Sequence, residues 1–173
     1  EGAKKEIPVL INLFKKLGKV KSILDVGCGM GRHTYLLSKE GYICEGVEPH
    51  PKMIEYAKQH YPGVTYKVNS MQNINYKNKF DAITCIFSII VFNKSNEEAM
   101  KTFKNFYRAL KKEGILILET FNCINWIVNP SFRKGFEEIN KKRNKVISDI
   151  MRKKVPPSED VALYKSLFEK SYG

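Results

Sequence analysis

The spacing of hydrophobic and polar positions changes repeatedly along the first two thirds of this chain. Short apolar runs, typical of strands that are buried on both faces, occur at residues 23–26, 42–47, 64–68, 80–87 and 114–121. Apolar positions at helical spacing fall between these runs, and one such segment precedes the first run. Strands that alternate with helices in this way predict an α/β fold with a parallel sheet and right-handed crossovers.

Four helices are expected in this part of the chain. The first covers residues 4–17, and the second follows the first strand and ends just before Gly41. The third runs from Pro51, a residue suited to a first helical turn, to about His60. The fourth covers residues 95–111, and its inward face is expected to carry Met100, Phe103, Phe106, Tyr107 and Leu110.

The length of 173 residues is most simply one domain. We expect this domain to consist of a leading helix, a ligand-binding core and a C-terminal helical region, at residues 1–20, 21–121 and 122–173. In the last region, helices are predicted at residues 132–154 and after Ser158, which can cap a helix.

The chain is strongly basic, with a formal net charge of +12. Its basic residues are 25 Lys and 5 Arg, whereas proteins that read nucleic acids favour Arg for forked contacts to bases and phosphates. Residues 133–154 hold nine basic and three acidic side chains, so the excess charge is uneven. This stretch is either a solvated helix face, which is the simpler interpretation, or a contact surface for an acidic substrate or partner.

Two observations limit the class of protein. No stretch approaches 18 uninterrupted apolar residues, so no membrane span is expected. The four cysteines lie far apart and form no C-x-x-C pair, which is typical of buried thiols in a reducing compartment. We therefore expect a cytoplasmic protein with neither a disulfide framework nor a metal site.

The strongest chemical signal is the turn after the first strand. Three glycines follow Asp25 in the pattern D-x-G-x-G-x-G, and Glu48 stands at the tip of the second strand, 23 residues after Asp25. Glycine lets the backbone turn sharply and lets a ligand approach the main chain. A strand, glycine turn, helix, second strand and acidic residue in this order bind a nucleoside at the carboxyl edge of a parallel sheet. A dinucleotide site has its third glycine where this chain has Arg32, which disfavours that ligand class.

The stretch ILDVGCGMGRHTYLLSKEGYICEGVEPHPKM resembles the first motif of the class I S-adenosylmethionine-dependent methyltransferases. The resemblance extends over residues 4–121. It implies a Rossmann-like three-layer sandwich whose mainly parallel sheet has the strand order 3-2-1-4-5. It also implies S-adenosylmethionine as the cofactor.

The end of the chain departs from the pattern of this family. Its members normally continue from the last helix into a terminal β-hairpin, and we find no sequence for that hairpin, so the protein is expected either to be longer or to lack it. The edge beside the fifth strand would then be open, and an exposed edge invites pairing with another chain. A missing segment, or a second copy in a homodimer, is expected to cover it.

The resemblance assigns roles to the residues of the glycine turn. The backbone of Gly27, Cys28 and Gly29 would lie against the methionine part of the cofactor. Asp25 would anchor the loop and the cofactor's amino group. Glu48 would accept hydrogen bonds from both ribose hydroxyls, because a carboxylate has acceptor sites for two donors.

Further contacts are implied for the adenine. Pro49 and Met53 would pack on its face. The family position that commonly holds an Asp for the adenine amino group is Ser70 here, so recognition would lean on the backbone of Met71. The implied cofactor-binding set is Asp25, Gly27, Cys28, Gly29, Gly31, Glu48, Pro49, Met53, Ser70, Met71, Ile86 and Phe87.

The implied reaction is a direct in-line displacement at a sulfonium methyl. Alignment alone can lower such a barrier by about 7–11 kcal/mol, so no catalytic residue is assigned. Ile86 and Phe87 would be nearest to the reacting sulfur. A base is needed only if the acceptor arrives protonated, and the candidates are His33 and Glu119. Each has a plainer interpretation, His33 as a helix-start side chain and Glu119 as a structural carboxylate at a strand end.

The acceptor is expected to be a small molecule methylated on N or O. The segment FDAITCIFSIIVF contains no N-P-P-Y or D-P-P-Y motif, which would serve methylation of base or amide nitrogens. An anionic acceptor, such as a nucleotide-linked amino sugar, suits a basic protein. Two alternatives remain open: an RNA or protein methyltransferase that uses the basic stretch 133–154, and an inactive binding partner that keeps the fold.

Overall fold

The computed structural model describes residues 2–120, with side chains from residue 5 onward. Its five strands form a parallel sheet in the order β3-β2-β1-β4-β5, which confirms the predicted strand order. The elements in chain order are α1 (Gly2–Leu17), β1 (Ser22–Val26), α2 (Arg32–Lys39), β2 (Ile43–Glu48), α3 (Pro51–His60), β3 (Thr65–Val68), β4 (Phe80–Cys85), a short 3-10 helix (Ile89–Phe92), α4 (Asn96–Ala109) and β5 (Leu110–Leu118).

The core lies on both faces of the sheet, because successive side chains of a strand point to opposite sides. Leu24 of β1 packs in a cluster with Phe106 of α4 on one face. Its neighbour Ile23 packs in a second cluster with Phe14 of α1 and Leu37 of α2 on the other face. Helices on both sides of a parallel sheet give the predicted three layers.

The inward face of α4 differs from the prediction. Phe106 is buried as expected, but Met100, Phe103 and Tyr107 are 56%, 38% and 85% exposed. The buried side chains of α4 are Thr102, Asn105, Phe106 and Ala109. The reason is that Asn105 faces inward to donate hydrogen bonds to two backbone carbonyls of the loop after β3, which turns the larger apolar side chains outward.

The boundaries of β4 and β5 also differ from the prediction. β4 ends at Cys85, because Phe87 and Ser88 adopt the left-handed backbone conformation. β5 begins at Leu110, earlier than the expected Gly114, and it is interrupted by a bulge. The register shift places Leu110 opposite Phe80 and Ile115 opposite Ala82.

Several predictions fall outside the described residues: the helices at 132–154 and after Ser158, the fate of the terminal hairpin, and the roles of the stretches 122–173 and 133–154. Within residues 2–120, β5 pairs only with β4 and forms one edge of the sheet. None of the helices described there combines the length and apolar character needed to cross a bilayer.

Candidate nucleoside site at the carboxyl edge of the sheet

The turn between β1 and α2 is tied to the end of β2 through its backbone. The N–H groups of Gly27 and Cys28 both donate to the carbonyl of Val47, at 2.8 and 3.1 Å. Gly27, Gly29 and Gly31 have φ of +73°, +53° and +82°. Residues with a side chain rarely adopt such angles, so the alternating glycines are what allow this turn.

The three glycines differ in what surrounds them. A Cβ on Gly27 would lie 2.6 Å from the side chain of Ile89, and a Cβ on Gly31 would lie 2.7 Å from the ring of Tyr66. At Gly29, by contrast, none of the described residues apart from its two chain neighbours comes within 4 Å of that position. Gly27 and Gly31 therefore let the protein pack closely, whereas Gly29 leaves its backbone open to a ligand.

Glu48 lies next to this opening. Its carboxylate accepts one hydrogen bond from the N–H of Gly29, at 3.2 Å, and one from the N–H of His50, at 3.1 Å. Burial raises the pKa of Glu48, while these two hydrogen bonds act in the opposite direction. A carboxylate offers about four acceptor sites, so two remain for hydroxyl donors of a ligand. Among the described residues, the buried Nδ1 of the neighbouring His50 has no hydrogen-bond partner.

Asp25 is engaged by the protein itself. It is 3% exposed, and its two oxygens accept hydrogen bonds from the hydroxyls of Thr34, at 2.7 Å, and Thr84, at 2.9 Å. Burial raises the pKa of Asp25 more than these hydroxyls lower it. This carboxyl joins β1 to α2 and to β4; its role in anchoring the loop and the cofactor's amino group stays a prediction.

The residues expected around the adenine lie on α3 and on the loop after β3. Met53 is buried on α3, while Pro49 is exposed just before that helix. Ser70 is half-buried, and its N–H donates a hydrogen bond to the side-chain oxygen of Asn69, at 2.9 Å. Met71 is buried, and its carbonyl accepts a hydrogen bond from Asn105. That carbonyl is therefore already paired within the protein.

The segment after β4 forms a second wall beside the glycine turn. Phe87 and Ser88 have φ of +59° and +58°. The carboxylate of Glu119 accepts a hydrogen bond from the N–H of Phe87, and the carbonyl of Glu119 accepts one from the N–H of Ser88, at 3.2 Å. Ile86 is half-buried, whereas Phe87 is 54% exposed. Glu119 therefore holds this turn in place.

His33 connects the leading helix to this wall. Its Nε2 lies 2.6 Å from a carboxylate oxygen of Glu6 on α1. Its ring meets the ring of Phe87 edge-on, with 5.1 Å between the ring centroids. Both candidate bases thus lie near the glycine turn, and each already contacts a protein group.

Sequence reasoning missed several residues that shape this site. Thr84 could have been found from the strand order, because parallel pairing of β1 with β4 places it opposite Asp25. Glu6 and Asn105 carry no motif. Their partners become neighbours only in the folded chain, so no local signal could have found them. His50 lies two residues after Glu48, within the quoted stretch, but no residue pattern there marks its side chain.

These residues fit the nucleoside end of S-adenosylmethionine. Gly29 offers open backbone, Glu48 keeps free acceptor sites, and the buried Nδ1 of His50 is an unused polar atom beside them. All three lie at the ends of β1 and β2, where ligands of open parallel sheets bind.

Comparisons with known proteins agree with this geometry. A family model described as "Methyltransferase domain" matches residues 23–114. A dTDP-3-amino-3,4,6-trideoxy-alpha-D-glucopyranose N,N-dimethyltransferase of Streptomyces venezuelae is 29% identical over 68% of this chain and 48% of its own length.

Two solved structures of similar proteins share the fold. DesVI of Streptomyces venezuelae has a TM-score of 0.64 and 26% identity, over 69% of this chain and 51% of that protein. CalS10, an amino pentose methyltransferase of Micromonospora echinaspora with S-adenosylmethionine bound, has a TM-score of 0.60 and 26% identity, over 70% and 50%. The chain thus spans about half the length of each of these three relatives.

Proposed function

This chain belongs to the methyltransferase domain family, the class I S-adenosylmethionine-dependent methyltransferases, and on that premise we propose that it methylates an N or O atom of a small molecule. One observation carries the proposal for the site. The open backbone at Gly29 and the carboxylate of Glu48 stand together at the carboxyl edge of the sheet, with 3.2 Å between the Gly29 nitrogen and a Glu48 oxygen.

S-adenosylmethionine supplies a methyl group on a positively charged sulfur. The residues of this chain would bind and orient it: Glu48 would accept the ribose hydroxyls, and Met53 would pack on the adenine. Asp25 would act indirectly, by fixing the turn through its hydrogen bonds to Thr34 and Thr84. Because the reaction is a direct displacement, holding the acceptor in line with the methyl group is the main requirement.

The acceptor that we propose is a small amine, and an amino sugar linked to a nucleotide is the leading class. The Streptomyces venezuelae relative is named for an amino sugar nucleotide, and CalS10 is named an amino pentose methyltransferase. The net charge of +12 would favour an anionic acceptor over a cationic one.

We propose that the protein is cytoplasmic. The cysteines of the described region, Cys28, Cys44 and Cys85, are free. Burial raises the pKa of Cys44 and Cys85 to about 12, so both thiols stay protonated at neutral pH. A homodimer that covers the edge of β5 remains our proposal, to be tested by sedimentation of the purified chain.

Binding and transfer are tested in sequence. Calorimetry should detect S-adenosylmethionine binding to the purified chain. Incubation with labelled cofactor and matched pairs of acceptors, an amino sugar nucleotide and its hydroxyl counterpart, should then move label to the amine. Absence of cofactor binding would contradict the proposed function. Transfer to RNA but to no small amine or hydroxyl would contradict the proposed acceptor class.

A further inference from the structure

The turn after β4 presents an aromatic ring in an unusual way. Phe87 has φ of +59° and Ser88 has φ of +58°, and both carry side chains that disfavour this conformation. Two such residues in succession persist only where surrounding contacts hold them, and such places cluster at functional sites. The ring of Phe87 is nevertheless 54% exposed, so burial of that ring is not what holds the turn.

Glu119 provides the contacts that fix this turn. Its carboxylate accepts the N–H of Phe87, its carbonyl accepts the N–H of Ser88 at 3.2 Å, and its own N–H donates to the carbonyl of Cys85 at 3.1 Å. One residue at the end of β5 thus bonds to three backbone groups around the end of β4. A carboxylate held in this way serves as an acceptor for the backbone.

The ring that this turn presents borders the open part of the glycine turn. Phe87 packs against His33, which follows the glycines, and Ile89 packs over Gly27, which begins them. The segment 87–89 therefore contacts residues on both sides of Gly29, and no described residue apart from the chain neighbours of Gly29 comes within 4 Å of a Cβ placed on that glycine. Phe87 is the exposed aromatic side chain of this segment.

We propose that Glu119 is a positioning residue that holds the ring of Phe87 against the charged sulfur of S-adenosylmethionine. This inference rests on the proposed function. A cation within about 6 Å of an aromatic ring is attracted by the negative face of the ring, more strongly where water is excluded. Glu119 acts only through the backbone of Phe87, and it does not remove a proton from the acceptor.

The test compares two ligands that differ in the charge of the sulfur. S-adenosylhomocysteine lacks the methyl group and has a neutral sulfur. The ratio of its Kd to that of S-adenosylmethionine therefore measures how strongly the protein stabilises the positive charge on the sulfur. Calorimetry should show this ratio fall about 3- to 10-fold in Phe87→Leu, the range expected for a cation–π contact. Glu119→Ala should lower the ratio by a similar factor.

A conservative variant separates positioning from charge. Glu119→Gln keeps an oxygen that can accept the N–H of Phe87 but removes the negative charge, so it should keep the wild-type ratio of the two Kd values. Combining Glu119→Ala with Phe87→Leu should lower the ratio no further than either change alone. Phe103→Leu, which shortens an exposed aromatic side chain on α4, is the matched control and should leave the ratio unchanged.

Each contrary result has a definite meaning. An unchanged ratio in Phe87→Leu overturns the inference. A loss in Glu119→Gln as large as in Glu119→Ala also overturns it, because the charge would then act directly. If thermal unfolding shows that Glu119→Ala does not fold, Glu119→Gln and Phe87→Leu still decide the question. Wild-type protein that binds neither ligand contradicts the proposed function, whereas wild-type binding with unchanged variant ratios contradicts this inference alone.

Discussion

At the scale of single residues, two carboxyl groups of the site have separate tasks. Asp25 is 3% exposed and bonded to two threonine hydroxyls, so it organises the protein around the turn. Glu48 stands one strand away, beside the open backbone of Gly29, and retains acceptor sites for a ligand. Burial raises the pKa of each, and the hydrogen bonds that each accepts act in the opposite direction.

The ligand role of Glu48 gives the first prediction. Glu48→Ala should weaken S-adenosylmethionine binding by about 2–4 kcal/mol, because two hydrogen bonds to a charged group are lost and such losses do not simply add. Calorimetry on the purified variant measures this directly. Glu55→Ala on α3 removes the same charge from an exposed position and should bind normally. Wild-type affinity in Glu48→Ala would show that the ribose lies elsewhere.

At the scale of elements, the glycines of the turn have two different roles. Gly31 allows close packing within the protein, whereas Gly29 leaves room for a ligand. Gly31→Ala should destabilise the fold by about 2–4 kcal/mol, since its Cβ would lie 2.7 Å from Tyr66, which adds overpacking to the cost of a left-handed residue. Gly29→Ala, with open space around it, should cost only about 1–2 kcal/mol of stability. Urea unfolding of both variants measures the difference.

In cofactor binding, the two variants should rank in the opposite order: Gly29→Ala should lose more affinity than Gly31→Ala, although it loses less stability. Gly29→Ala places a methyl group where the ligand is expected to approach the backbone, so its affinity for S-adenosylmethionine should fall further than that of folded Gly31→Ala. Calorimetry below the unfolding transition of both variants tests this. Equal losses in the two variants would count against Gly29 as the point of approach.

The positions of the strands and the glycine turn could be predicted because their signals are local, whereas the strand order came from the resemblance to the methyltransferase family. Short apolar runs such as that around Ile83 mark buried strands, and the positions of Asp25 and Glu48 follow from one motif. The inward face of α4 could not be predicted, because burying Asn105 depends on carbonyls of a loop far away in sequence. The contact of Glu6 with His33 likewise joins two helices, and neither helix carries a sequence pattern that would indicate it. The ligand contacts of the cofactor-binding set stay predictions.

At the scale of the whole described region, charge stabilises one end of the sheet and the site occupies the other. Near the start of β4, Asp81 accepts hydrogen bonds from the N–H groups of Lys21 and Ser22 and pairs with Lys111 of β5 at 2.9 Å. The buried carboxylate of Glu45, on β2, bonds to Lys67 and Lys79 at 2.8 and 2.5 Å. The glycine turn lies at the carboxyl end of the same strands. Because burial raises the pKa of Asp25 and Glu48, falling pH should protonate these two carboxyls of the site before it protonates Asp81.

Asp81 makes this dependence on pH measurable. Partial burial would raise its pKa, but Lys111 and the Ser22 groups outweigh that effect and lower the pKa from 3.8 to about 2. A carboxyl whose pKa is lower in the folded state stabilises the fold at pH values above its unfolded pKa. That contribution, about 1 kcal/mol for a pair open to solvent, should therefore be lost as pH falls from about 4 to about 2.

Asp81→Asn should be less stable at neutral pH and should lose less stability over this interval, as measured by urea unfolding at each pH. Glu55→Gln, which removes an exposed carboxylate, should keep the wild-type slope. An Asp81→Asn slope as steep as that of the wild type would assign the acid sensitivity to other carboxyls, with Glu45, whose pKa its lysine partners also hold low against the effect of burial, as the first to examine.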